Sequence, residues 1–239
     1  MFHNCLRLGA ACNSIVLLCL LSACASTPGT KALVDRSALT ALQRIGVTVT
    51  QEEDFSVLWG RDQFAGAPNF GGSAGGGLLG LIVLAAAIGG TSSADAEYTR
   101  QIKPALGAYD AAKLFTTGLV RNLQHEPRFI TVVNVAADEK SAAKGRGLDG
   151  IAEITLKRWG LRLCGAADTE VKVQAGFYIE GRIVSVAKGE TVWERHEFHL
   201  DSECRTLDEL SSQKGLLVNL LSRVIDYLSG KMANEIRFP

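Results

Sequence analysis

Three stretches of this 239-residue chain carry residue types that could do chemistry. His196-Glu197-Phe198-His199 combines two imidazoles with a carboxylate, as a zinc peptidase helix does, but that signature sets its histidines one helical turn apart. Here they stand three apart in a run predicted as a strand, which sends them to opposite faces, so no metal site is expected. Gly71-Gly72-Ser73-Ala74-Gly75 has the G-x-S-x-G spacing of a nucleophilic serine, a geometry that needs a strand before it and a helix after it. The preceding Phe64-Ala65-Gly66-Ala67-Pro68-Asn69-Phe70 is not a strand pattern. Gly75 to Gly80 spells G-x-G-x-x-G, again without the strand-to-helix context that a dinucleotide site requires. A second match, Gly145 to Gly150, runs into a strand and offers no helix N-terminus to a phosphate. Glu52-Glu53-Asp54 reads as a solvated strand exit. Ser73, His196 and Glu197 are thus the only catalytic candidates and lack their context; the chain is expected to be no enzyme and to need no cofactor.

The glycines of residues 71–80 fit a third pattern. Gly72, Gly76 and Gly80 repeat as G-x-x-x-G, which exposes a flat helix face to a close neighbour. No charge occurs from Gln63 to Ala94. As a helix, Gly75 to Gly90 would span about 24 Å, short of a bilayer core of about 30 Å. Each glycine costs an isolated helix about 1 kcal/mol, so protein or lipid contacts must compensate. Two uses stay open: packing on the domain's own core, or membrane contact with glycine-zipper self-association.

Lys plus Arg equals Asp plus Glu at 25 each, so no basic field attracts nucleic acid. Arg7 and the apolar run Leu8–Leu21 have the layout of an export signal. The run ends in Leu21-Ser22-Ala23-Cys24, which resembles the bacterial lipobox. That resemblance implies cleavage before Cys24, diacylglycerol on its thiol and an acyl chain such as palmitate on its new amino group. Ala25 in place of Asp implies the outer membrane. Residues 1–23 are then signal peptide and 24–38 a tether. Cys5, Cys12 and Cys19 leave with the signal, so Cys164 and Cys204 remain as an even pair in an oxidising compartment. They form a disulfide or two separate thiols. On flat strands either side of a third they would lie near 10 Å apart, beyond the reach of a bond unless the strand ends curl inward.

The elements of residues 39–239 follow from periodicity. Ile45, Val47 and Val49 alternate in a first strand over 41–50. An insertion over about 55–103 breaks the pattern. Residues 105–124 have helical spacing, with Pro104 in the first turn and Pro127 past the end. Phe129–Val135 reads as a buried strand, parallel to the first because a long crossover separates them. Three strands follow, at 151–163 with a bulge near Arg158–Gly160, at 171–186 and at 191–200; Gly189 lies in the turn between the last two. Thr206 and Glu209 have capping-box spacing, opening a single last helix. The fold class is α+β: a mixed four- to five-stranded sheet with two main helices against it, plus the Gly-rich apolar insertion.

The stretches FITVVNV, DGIAEITLKRWGLRL and VKVQAGFYIEGRIVSVAKGETVWERHEF, with the final helix, resemble a group of bacterial periplasmic domains. These include the curli-secretion-channel lipoproteins, the activators of penicillin-binding proteins and the amino-terminal domain of the Tol translocation protein. The resemblance implies protein partners or a homo-oligomer, and a lipid-anchored interaction or assembly module facing the periplasm. The alternative is an auxiliary lipoprotein of a lipid or envelope transport complex.

Overall fold

The computed structural model describes residues 33–57, 92–142, 145–167, 170–213 and 215–238. Cys24, Gly72, Ser73, Gly76 and Gly80 lie outside them. Five strands of four residues or more carry the sheet: β2 (Arg44–Gln51), β4 (Thr131–Asn134), β5 (Gly150–Ala167), β6 (Glu170–Ser185) and β7 (Thr191–Leu200). Two-residue strands join them as β1 (Leu33–Val34), β3 (Ser56–Val57) and β8 (Arg205–Thr206). The order is β1-β7-β6-β5-β2-β4, with β3 on β5 and β8 on β6. β2 runs parallel to β4 and β5, while β5, β6 and β7 form an antiparallel meander.

The helices are α1 (Arg36–Thr40), α2 (Ser92–Ile102), α3 (Ala111–Gln124), α4 (Leu207–Ser212) and α5 (Leu216–Arg237). Alternation along the strands sends one set of side chains into a single core with α3 and α5: Ile45 and Val47, Ile154 and Leu156, Phe177 and Ile179, against Phe115, Leu119, Leu221 and Leu228. α3 and α5 meet closely at Gly118, where a Cβ would come within 2.6 Å of Ser229 Oγ. The opposite parity buries a smaller cluster of Val135, Leu148 and Ile151.

Several boundaries differ from the sequence reading, each for a local reason. Residues 33–40, expected in and just beyond the tether, contribute β1, which pairs with Trp193 and Glu194, and α1, capped by Asp35. β3 and α2 fall inside the expected insertion; the Val57 amide donates to Thr99 Oγ1 at 2.9 Å and joins them. The helix expected from 105 starts at Ala111, because Gly107 takes φ +59° after a 3-10 turn and Asp110 caps the new start. The extra residue of the β5 bulge is Lys157, one place before the expected range. The capping box at Thr206 and Glu209 makes both of its bonds, at 3.2 and 2.9 Å. The helix it opens is short, however: α5 starts afresh after Gly215, whose φ of +81° no helix accommodates.

Asp149, which opens the stretch DGIAEITLKRWGLRL, ties the sheet together. Asp149 Oδ2 accepts from the amides of Gln43 and Arg44 at 3.0 and 2.9 Å, where β2 begins. Its own amide donates to the Arg44 carbonyl, and its carbonyl accepts from Val186 past the end of β6. Gly150 beside it leaves room for Leu42, whose Cδ1 would lie 2.9 Å from a Cβ. The Asp-Gly pair is thus a clamp on three strands.

Candidate functional site

β7 places His196 and His199 on opposite faces of the sheet, as strand alternation requires. His196 Nδ1 lies 3.3 Å from Glu180, and its Nε2 lies 3.5 Å from Glu194. Tyr178 donates to the same Glu180 at 3.0 Å. Arg182 binds Glu153 at 2.6 Å, and Lys157 lies 3.5 Å from Glu180. Charges on this face therefore answer one another across β5, β6 and β7. Ion pairs of this exposure are worth about 0–1 kcal/mol each.

Glu52 and Glu53 do more than solvate a turn. Glu52 pairs with Lys157 and Glu53 with Arg158, while the Glu53 carbonyl accepts from Trp159 Nε1 at 3.0 Å. The bond to Glu52 is the main reason the Lys157 ammonium is held above its ordinary range. The strand exit is thereby pinned to the bulge of β5.

On the helix side β7 meets α5 in a seam of three rungs. The His199 ring stacks on Tyr227 with centroids 4.2 Å apart. Glu197 pairs with Lys231, and Arg195 lies 3.1 Å from Glu235. The rungs advance four residues along the helix and two along the strand, about 6 Å and 6.6 Å, so the periods nearly match. Burial lowers the pKa of His199, with Lys231 adding to the shift. Burial raises that of Glu235 against the pull of Arg195. Glu197 and His199 share this seam, while His196 lies on the opposite face with Glu180 and Glu194, so the two histidines and the carboxylate do not converge on one site. Among the described residues no cluster of three metal-ligating side chains occurs.

Cys164 and Cys204 are joined in a disulfide with Cα atoms 6.2 Å apart. The curl that flat strands lack comes from two irregularities. Cys164 is the extra residue of a second β5 bulge, between Leu163 and Gly165. Cys204 sits in the turn between β7 and β8, whose Arg205 pairs with Val173 of β6. Arg223 of α5 binds Asp201 at 3.0 Å and also Glu203, fixing that turn from the helix side. Hydrogen bonds from Arg223, then Arg205, hold the Glu203 carboxyl below its ordinary range.

No family model matches the sequence, and no curated protein matches it. Solved structures with a distant likeness to this chain include these three. One is a PelC dodecamer from Paraburkholderia phytofirmans, 15% identical over 54% of this chain and 79% of that one, with a TM-score of 0.36. Protein XCC0632 of Xanthomonas campestris, from the family DUF330, is 8% identical over 83% of this chain and 86% of its own, with a TM-score of 0.43. Lipoprotein GNA1162 of Neisseria meningitidis is 15% identical over 78% and 97%, with a TM-score of 0.25. Among the described residues no helix is long and apolar enough to cross a membrane.

Proposed function

We propose that this chain is a lipid-anchored bacterial envelope protein, a non-enzymatic interaction or assembly module held at the outer membrane by Cys24 and facing the periplasm. The observation that carries this is the use of its cysteines. Cys24 follows a run with the layout of an export signal, and the two cysteines downstream of it, Cys164 and Cys204, are joined in a disulfide, the bond an oxidising compartment permits. Multiple acyl chains, each buried CH₂ contributing about 0.8 kcal/mol, anchor such a chain firmly. The sheet lies between His196 and the Glu197–His199 pair, and Glu197 and His199 are spent on packing against α5, which supports binding over catalysis. Self-association through Gly72, Gly76 and Gly80 supplies the assembly.

The test is metabolic labelling of the full chain with an alkyne fatty acid, followed by density fractionation of the membranes. Label in the outer-membrane fraction that Cys24→Ser abolishes supports the anchor; a chain that stays unlabelled overturns it. Flotation of residues 25–239 with liposomes, with and without residues 71–90, then tests the glycine repeat. Flotation lost only with the repeat makes it a second membrane contact.

A further inference from the structure

Ile130 at 66% and Phe238 at 72% are the most exposed large hydrophobic side chains among the described residues, and both stand on one rim of the domain. Contacts join the segments that carry them. Arg128 donates to the Ile236 carbonyl, and Arg237 pairs with Glu126. The Ile130 amide donates to the Gln43 carbonyl at 2.8 Å, where β2 begins. The bond from the Val186 amide to the Asp149 carbonyl carries the rim across β5 and β6 to the turn at 187–190. Arg36, Arg44 and Lys188 are exposed on the same rim. Of its acids, Asp35 caps α1, Glu126 pairs with Arg237 and Asp149 binds two strand amides, which leaves Glu190 against three exposed cations.

Apolar side chains this exposed, bordered by cations, fit the surface of an anionic bilayer: the apolar tips enter the headgroup layer and the cations meet phosphates. Chain length selects the same rim. Nine peptide steps join Cys24 to Leu33, at most about 32 Å when extended. Leu33 lies opposite Glu194, Glu194 opposite Arg182 and Arg182 opposite Glu153. From Glu153 the rim end of β5 is about 10 Å away, and its far end at Ala167 about 40 Å the other way. A lipid at Cys24 therefore lets the rim reach the bilayer and keeps the far end off it. We propose that this rim rests on the bilayer surface through Ile130 and Phe238, and that the far end, with the disulfide, points into the periplasm. The contact is separate from the glycine repeat, although it rests on the reading of Cys24 as the anchor.

The full chain is extracted with its lipid and reconstituted into vesicles of phosphatidylethanolamine and phosphatidylglycerol. With Cys24 acylated and Cys164 bonded to Cys204, a single introduced cysteine takes a polarity-sensitive dye. The dye on Ile130→Cys and on Phe238→Cys is expected to be quenched at least about twofold by lipids brominated in their tails, since the interfacial layer lies within reach of the bromines. On Ser211→Cys, in α4 beside the far end, it is expected to stay unquenched. All three side chains are exposed, so the fold is spared. Equal quenching at the three positions, or none at any on vesicles that keep the chain, overturns the contact and leaves the anchor standing. A dye shifted to the blue at 130 and 238 yet unquenched marks a protein on this rim and likewise overturns it. A chain that carries no acyl group and washes off the vesicles overturns both.

Discussion

The His199 ring lies 4.2 Å from that of Tyr227, with 28° between their planes, and so joins the last described long strand to the last helix. This stack has a thermodynamic consequence. Burial, aided by Lys231, holds the His199 pKa below that of the unfolded chain. As pH falls through the ordinary histidine range the unfolded chain takes up the proton first, so the fold loses stability. Thermal melts between pH 5 and 7.5 should show Tm falling on the acid side. His199→Phe should flatten that slope, and an unchanged slope would assign it to another group.

Gly160 sits at φ +141°, where a Cβ would lie 1.9 Å from the Ser56 carbonyl oxygen. The atom it would strike is backbone, so no rotamer relieves it. Gly160→Ala should cost about 2–4 kcal/mol, combining strain at a glycine-only conformation with displacement of β3. Urea denaturation measures this directly. A loss under 1 kcal/mol would mean that β3 shifts freely.

The disulfide closes a loop with a sequence separation of 40. Chain entropy predicts a contribution of about 3–4 kcal/mol. Cys164→Ser with Cys204→Ser should therefore lower the urea midpoint, as should reductant acting on the native chain. The circular dichroism should be kept, because Arg223 and the β8 pairing still hold the turn at 201–204. Global unfolding on reduction would show those contacts to be secondary to the bond.

Asp149→Ala removes the acceptor for two strand-initiating amides and should cost about 2 kcal/mol. Asp149→Asn retains one acceptor oxygen and should cost less. Hydrogen exchange at Gln43 and Arg44 is the local readout: their amides should exchange faster in both variants, most in the alanine one.

How much was legible in the sequence depended on the range of each interaction. Thr206 and Glu209 announce a helix start because both bonds of a capping box are made within four residues. Strand alternation in β6 and β7 is equally local, and so is the turn at Gly189, with φ +71°. The parallel β2–β4 pair could be expected from the length of the crossover alone. The helix boundaries near Gly107 and Gly215 were less legible, since a glycine within an apolar period can sit in a helix or end one. Asp149 stands in one of the stretches that carry the resemblance, but its bonds, like the pairings of Glu52 and Glu53, were not legible, because a charge on a turn is ordinarily solvated.

By itself, then, the sequence determined the element types, the strand parity that separates His196 from His199, and an α+β sheet with helices on it. These follow from periods of two and 3.6, which a chain displays residue by residue. Tertiary structure alone decided that the bulged end of β5 and the turn after β7 bring Cys164 and Cys204 within 6.2 Å, and that Tyr227, Lys231 and Glu235 find His199, Glu197 and Arg195 as partners. Those pairings join residues 28 to 40 positions apart in the chain. Their register depends on where a bulge inserts one residue and where a glycine restarts a helix, and no local period encodes either.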